Sequence, residues 1–328
     1  MKKISFAALF LLVGILVLDA DPRVQAQTFP SKTIRWIVPY SPGGGVDVLT
    51  RALARAVGKE LKTSVIIQNI PGGGARIATS YVYRSKPDGY TLGTFVSGSL
   101  IIPQKLFADA PYDVDKMTWV ASPFSAPFGM WVAIKSPVKR LKDLKKLGRP
   151  VFIGEGGITA SPVPPTILTM KALGVKYKYV TGYKGQALMN PAVHRGELDF
   201  FTRTLPSQEA FKDFTRTIVV MSPKRHYLAP DIPTLEEQIG PAAKDIIPLS
   251  SGIYFIGMAP GTPRQPVEIL ENAILKALDD PTLLKWAKRA GFGGDLTKAG
   301  SSKTQKIMKD YIATLNKYGD SLKAVMKK

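Results

Sequence analysis

Short β-rich runs alternate with amphipathic helical stretches along this chain, and no other feature restricts its fold as strongly. Runs at 33–39, 64–68, 91–96, 130–134, 151–154, 176–180, 198–202, 217–221 and 252–258 read as strands. Between them Val46, Leu49, Leu53, Val57 and Leu61 recur on one helical face, and Ile269, Ile274, Leu275 and Leu278 do so less strictly. Such alternation builds βαβ units, so the fold class is α/β with mainly parallel sheets. A length of 328 residues corresponds to about two ordinary domains. With no low-complexity linker between them, shared crossing strands are favoured over beads on a string.

The N-terminal residues have a different character. A basic start, Met1-Lys2-Lys3, precedes thirteen apolar residues from Phe6 to Leu18, and Val24-Gln25-Ala26 fits a small-residue cleavage site. The apolar run is shorter than the roughly 20 residues that span a bilayer. An export signal over 1–26 is expected, with cleavage after Ala20 and an uncleaved anchor as alternatives. The segment holds Lys2, Lys3 and Arg23 against Asp19 and Asp21, so its removal leaves about +19 of the net charge of +20. In an exported chain, basic residues scattered over several helices read as solvated surface, with anionic ligands or membranes as the alternative, and not as a nucleic-acid interface. The absence of cysteine excludes thiolate metal sites, a disulfide framework and a lipid-anchored lipoprotein.

Two βα junctions carry the same tetrapeptide: Pro42-Gly43-Gly44-Gly45 and Pro71-Gly72-Gly73-Gly74. Glycine allows a ligand close to the backbone, and a following helix offers unpaired N–H groups, so each junction is a candidate anion site. Nucleotide motifs fail in detail. Val46 and Asp47 stand where a phosphate loop needs Lys and Ser or Thr, and Val48 and Ile77 stand where a dinucleotide fingerprint needs its third glycine. No G-x-S-x-G elbow occurs, and two lone histidines, His194 and His226, support neither a triad nor a metal site. Small and hydroxyl residues at 95–100 and 153–162 follow two other strands, where open α/β sheets bind ligands.

The run 29–54 resembles the start of substrate-binding proteins of the tripartite tricarboxylate transporter, the TctC or Bug family. The likeness continues through the Asn-x-Pro-Gly-Gly-Gly element beginning at Asn69 and the Pro-Asp-Gly-Tyr-Thr element beginning at Pro87, and resumes at 111–121, 180–200 and 222–238. It implies a type II-like periplasmic binding protein: two α/β domains around a central ligand cleft, 27–127 plus 249–328 and 128–248. It implies a monomeric, non-enzymatic receptor without cofactor or metal. Such a receptor captures a small organic carboxylate for membrane permease subunits, or presents it to a sensor kinase.

Carried onto this sequence, the resemblance assigns one ligand carboxylate to the loop of Tyr40, Ser41, Gly43, Gly44 and Gly45, with Asp47 capping the helix. Ser97, Gly98 and Ser99 would add donors. From the second domain, Gly156, Gly157, Thr159 and Ser161, with Tyr183, Lys184 and Gly185, would close over the other end; surface exposure is the alternative for Lys184. Thr202, Arg203 and Thr204 replace the family's usual Phe-Asp-Asn, and Glu155 stands where small residues are usual. Arg203 either presents a fork of donors to a second carboxylate or points to solvent. Glu155 pairs with Arg203, faces a ligand ammonium or amide, or lies outside the cleft. A dicarboxylate, aromatic ones included because Tyr40, Phe128, Trp131 and Tyr183 were expected nearby, leads over a zwitterionic amino acid.

Overall fold

The computed structural model describes residues 29–183, 186–206 and 212–326, so residues 1–26, where an export signal is expected, and Lys184 and Gly185 lie outside the described residues. The first elements are β1 (Ile34–Val38), α1 (Gly45–Leu61), β2 (Val65–Asn69), α2 (Arg76–Tyr83), β3 (Thr91–Val96), α3 (Ser97–Phe107) and β4 (Thr118–Ala133). They are followed by β5 (Val151–Gly154), α4 (Val163–Leu173), β6 (Tyr177–Val180), α5 (Gln186–His194), β7 (Phe200–Thr204), β8 (Thr215–Val220) and α6 (Leu235–Ile239). Last come β9 (Ser251–Met258), α7 (Arg264–Ala277), α8 (Pro281–Arg289), β10 (Leu296–Gly300), α9 (Ser301–Lys317) and α10 (Gly319–Met326).

The strand β4 organises the architecture. From Thr118 to Pro127 it lies between β9 and β10; from Phe128 to Ala133 it lies between β7 and β8. One sheet therefore runs β2-β1-β3-β9-β4-β10 and another β6-β5-β7-β4-β8, with the two ends of β4 in different sheets. The pairing is not mainly parallel, as strand–helix alternation alone suggests. Only β1 with β2 and β3, and β5 with β6 and β7, run parallel, while every pair made by β4 or β9 is antiparallel. The run at 130–134 is the end of this longer strand, whose Pro123 and Pro127 obscure it in the sequence.

Both faces of the sheets are covered. On α1, Leu49, Leu53, Ala54 and Val57 are buried, as the 3.6-residue periodicity requires, whereas Val46 and Leu61 at its ends are half-buried. On α7 the buried stripe is Val267, Leu270, Ala273, Ile274 and Ala277, one register away from the looser stripe read through Ile269 and Leu275. One apolar cluster runs from Phe95, Trp119 and Phe255 in the first sheet to Phe128, Met130, Ile153 and Phe200 in the second. The C-terminal helix α10 packs against both α3 and α4, joining the two sheets from behind.

In β9, which both β3 and β4 flank, a Cβ added to Gly257 would lie 2.6 Å from the Trp119 ring. Gly257→Ala should therefore cost about 1–3 kcal/mol by overpacking. Thermal denaturation should register it as roughly 2–4 °C per kcal/mol; an unchanged melting temperature would show that the indole has room to move.

Candidate ligand-binding site

The loops singled out in the sequence all leave carboxyl ends of parallel strands: Tyr40 follows β1, Ser97 follows β3, Glu155 follows β5 and Tyr183 follows β6. The first loop is shaped by Asp47, a buried carboxylate in the first turn of α1. Its Oδ2 accepts from the Gly43 N–H and from Arg51 Nε, both at 2.9 Å, and its Oδ1 accepts from Asn69 Nδ2 at 2.8 Å. Asn69 Nδ2 also donates to the Tyr40 carbonyl, and Asn69 Oδ1 accepts from Arg51 Nη2. Asp47 is thus not the residue at the helix cap, which is Gly44, but a clamp across the loop. It engages the Gly43 N–H, one of the donors the sequence assigned to a ligand. Burial raises the Asp47 pKa, and the bonds from Arg51, Asn69 and Gly43 outweigh it, holding the carboxyl below the ordinary 3.8.

The two Pro-Gly-Gly-Gly junctions differ in conformation, and charge explains why. Asp47 lies five residues after Pro42; Arg76 lies five after Pro71. The carboxylate draws an N–H inward, whereas Arg76 Nε donates to the Gly73 carbonyl. The second junction inserts a left-handed turn over Gly73, Gly74 and Ala75 before α2, while the first passes directly into α1 through extended Gly44.

The run at 95–100 holds no loop: β3 passes straight into α3, with Ser97, Gly98 and Ser99 as its first turn. Ser97 and Gly98 are buried and Ser99 is half-buried. The Gly98 N–H donates to Ser161 Oγ at 2.8 Å, and a Cβ on Gly98 would lie 2.3 Å from Ser161 Cα. Only glycine permits that approach. Because Ser161 follows β5, the carboxyl edges of the two sheets touch here. A Cβ on Gly74 would lie 3.9 Å from Thr159 Oγ1, a second approach between the same edges. A third contact joins them beyond the loops, where His226 Nε2 lies 2.9 Å from Asp295 Oδ1.

On the second-sheet side, Arg203 does not reach out with a free fork. Its Nη1 and Nη2 donate to Glu155 Oε2 and Oε1 at 2.7 and 2.6 Å, Nη1 also donates to the Thr202 carbonyl, and the Gly156 N–H donates to Glu155 Oε1. Of the alternatives open to Glu155, pairing with Arg203 is the one observed; its side chain is 3% exposed against 19% for Arg203. The Thr202 hydroxyl accepts from Thr166 Oγ1 and is buried. Phe128 and Trp131 are core residues rather than cleft aromatics. In the loops at the two carboxyl edges Gly156 is exposed and Gly157, Thr159 and Tyr183 are half-buried on one side, and Ser41, Gly44 and Gly45 are exposed on the other. The Tyr40 hydroxyl donates to Ser99 Oγ at 3.1 Å, and burial pushes its pKa up to about 12, so it acts as a neutral donor.

Arg51 and Asn69 escaped the residue-level reading of the site, although Arg51 stands four residues after Asp47, the spacing of a helical ion pair. Nothing local announces Asn69. Among the described residues no group of three or more His, Cys, Asp or Glu could hold a metal ion, and no helix is long and apolar enough to cross a membrane.

The family pattern described as "Tripartite tricarboxylate transporter family receptor" matches residues 49–325, and the chain belongs to this TctC family of periplasmic substrate-binding proteins, which are not enzymes and work with membrane transporter subunits. A protein from the tcbD-tcbE intergenic region of Pseudomonas sp. strain P51 is 27% identical over 93% of this chain and 95% of its own. MatC from Rhodopseudomonas palustris with bound malate superposes with a TM-score of 0.76 at 21% identity, covering 90% of this chain and 100% of that one. The R. palustris protein Rpa4515 with adipate also reaches 0.76, at 23% identity, with 90% and 98% covered.

Two outcomes test this geometry. Glu155→Ala leaves a partly buried guanidinium without its carboxylate and should lower stability by about 1–3 kcal/mol, while the paired change Glu155→Gln with Arg203→Met costs less than those two changes made singly; additive costs in denaturant titrations would refute the coupling. Asp47, with its folded pKa depressed, contributes stability that is present above about pH 4 and lost as pH falls through the folded value. Asp47→Asn should be less stable than wild type at neutral pH yet lose less on acidification below about pH 4; parallel stability–pH curves would contradict this.

Proposed function

We propose that the cleft between the two carboxyl edges holds one small organic carboxylate, with a dicarboxylate as its ligand, and that the protein delivers this ligand to a tripartite tricarboxylate-type transporter. What supports the reading is that two helix N-termini lie at the same sheet edge, where the hydroxyl of Tyr40, before α1, donates to Ser99 in the first turn of α3. The first turns of α1 and α3 leave the N–H groups of Gly45, Val46 and Ser99 without intrahelical acceptors, and the partial positive ends of both helices favour an anion. Tyr40 and Ser99 add hydroxyls beside them.

The pairing of Glu155 with Arg203 refines the ligand class. An amino acid would need a carboxylate for its ammonium group, and Glu155 is engaged on both oxygens. A second carboxylate meets no free guanidinium either, so its partners are the hydroxyl and N–H groups of Gly157, Thr159 and Ser161. Two proteins of the same fold, named with malate and adipate, support a dicarboxylate. With Phe128 and Trp131 in the core, only Tyr40 and Tyr183 remain beside the loops to favour an aromatic ligand. The lobes in this reading are 27–127 with 249–328 and 128–248. Residues 1–26 are the export signal.

A panel of dicarboxylates, malate and adipate included, set beside amino acids and tested on the purified protein, checks the reading. A true ligand stabilises the fold by about 2.7 kcal/mol at a hundredfold excess over its dissociation constant, without turnover. Gly98→Ala, which blocks the approach to Ser161, should weaken that ligand by tenfold or more, about 1.4 kcal/mol. No stabilisation by any carboxylate in the panel would overturn the proposal.

A further inference from the structure

Outside the cleft, the first sheet carries a surface groove of about 840 Å³ between the β2–β1–β3 edge and α2. Its walls combine two kinds of residue. Ile66, Ile77 and Tyr81 are 48%, 54% and 38% exposed, three large apolar side chains together where folding alone would bury or scatter them. Around them stand Lys32, Arg35, Arg84 and Lys86, with Asp88 as the one carboxylate of the lining. Asp88 pairs with Lys32 at 3.3 Å, and Arg35 donates to the Tyr81 hydroxyl at 2.6 Å. Arg84 and Lys86 have no carboxylate partner among the described residues. An apolar floor of Ile and Tyr with an arginine-rich polar rim has the composition of a protein-binding site.

We propose that this groove docks the protein on a membrane subunit of its transporter by seating an acidic, amphipathic segment of that subunit. The proposal rests on the family's partnership with membrane transporter subunits, and it does not depend on which solute the cleft holds. Charge complementarity selects the occupant: four cations against one carboxylate attract an acidic segment and repel a second copy of a chain whose own net charge is +20. A concave recess with apolar walls also excludes a flat anionic bilayer, which would meet the rim and leave the floor empty. The groove adjoins the cleft. A Cβ on Gly72 would lie 3.0 Å from Ile77 Cδ1, so Ile77 packs on the glycine turn whose next residues approach Thr159 on the opposite edge. A partner seated on Ile77 therefore lies against the turn through which the two edges approach.

The experiment uses the full chain, the transporter's membrane subunits in lipid nanodiscs, and two variants: Arg35→Glu/Arg84→Glu/Lys86→Glu, and Ile77→Asp. Docking is measured to loaded and to empty nanodiscs of the same lipid, and solute binding is measured separately. The expected result is wild-type docking to loaded nanodiscs only, weakened by added salt and weakened tenfold or more in both variants, about 1.4 kcal/mol. Solute affinity should stay within about twofold of wild type, equivalent to roughly 0.4 kcal/mol. Variants that dock as wild type does would overturn the proposal, as would equal binding to empty nanodiscs, which would assign the basic groove to lipid. Loss of solute binding in the untreated wild type would instead count against the carboxylate reading and leave the docking comparison intact.

Discussion

The buried carboxylate of Asp47 is the interaction on which the carboxyl edge of the first sheet depends. A charge with almost no solvent contact is tolerable only with a full complement of donors, and Gly43, Arg51 and Asn69 supply them. Through those bonds one side chain ties the loop after β1, the first turns of α1 and the end of β2 together. Glycine would otherwise leave this loop with many conformations; the clamp selects the one that presents the α1 N-terminus outward. In the second junction a cation, Arg76, stands at the position of Asp47 and donates to the Gly73 carbonyl, and Gly73, Gly74 and Ala75 make a left-handed turn.

The second sheet reaches order by the same physics with the signs reversed in space. Glu155 and Arg203 meet across the ends of β5 and β7, and their bidentate contact neutralises both charges. Between the two edges the approach of Gly98 to Ser161 brings backbone to hydroxyl directly. In the proposed site an anion would meet dipoles and hydroxyls rather than an opposing charge, and selectivity would rest on the spacing of those donors.

Much of the fold was legible locally. The nine strand positions follow from short runs of β-branched, aromatic and apolar residues, most of them buried on both faces, and the face of α1 follows from its helical period. What remained hidden depends on partners distant in sequence. The length of β4 was masked by two prolines, its neighbours β9 and β10 come from chain segments more than a hundred residues away, and β10 is too polar to announce itself. The site divides the same way. Its loops were found from glycine and serine spacing, whereas Asn69 entered only as part of a familiar element, and the run at Ser97 read as a loop although it opens a helix.

By itself, the sequence determined the α/β class, the strand-to-helix glycine junctions, the family, and the exclusion of thiolate chemistry, since each resides in residue types and short spacings. Tertiary structure alone decided which donors stay open to a ligand. Whether the Gly43 N–H faces a solute or Asp47, and whether Arg203 meets a carboxylate of the ligand or of Glu155, depends on groups brought together by the sheets. Hydrogen bonds and ion pairs act over a few ångströms in space, and separation along the chain does not encode that distance.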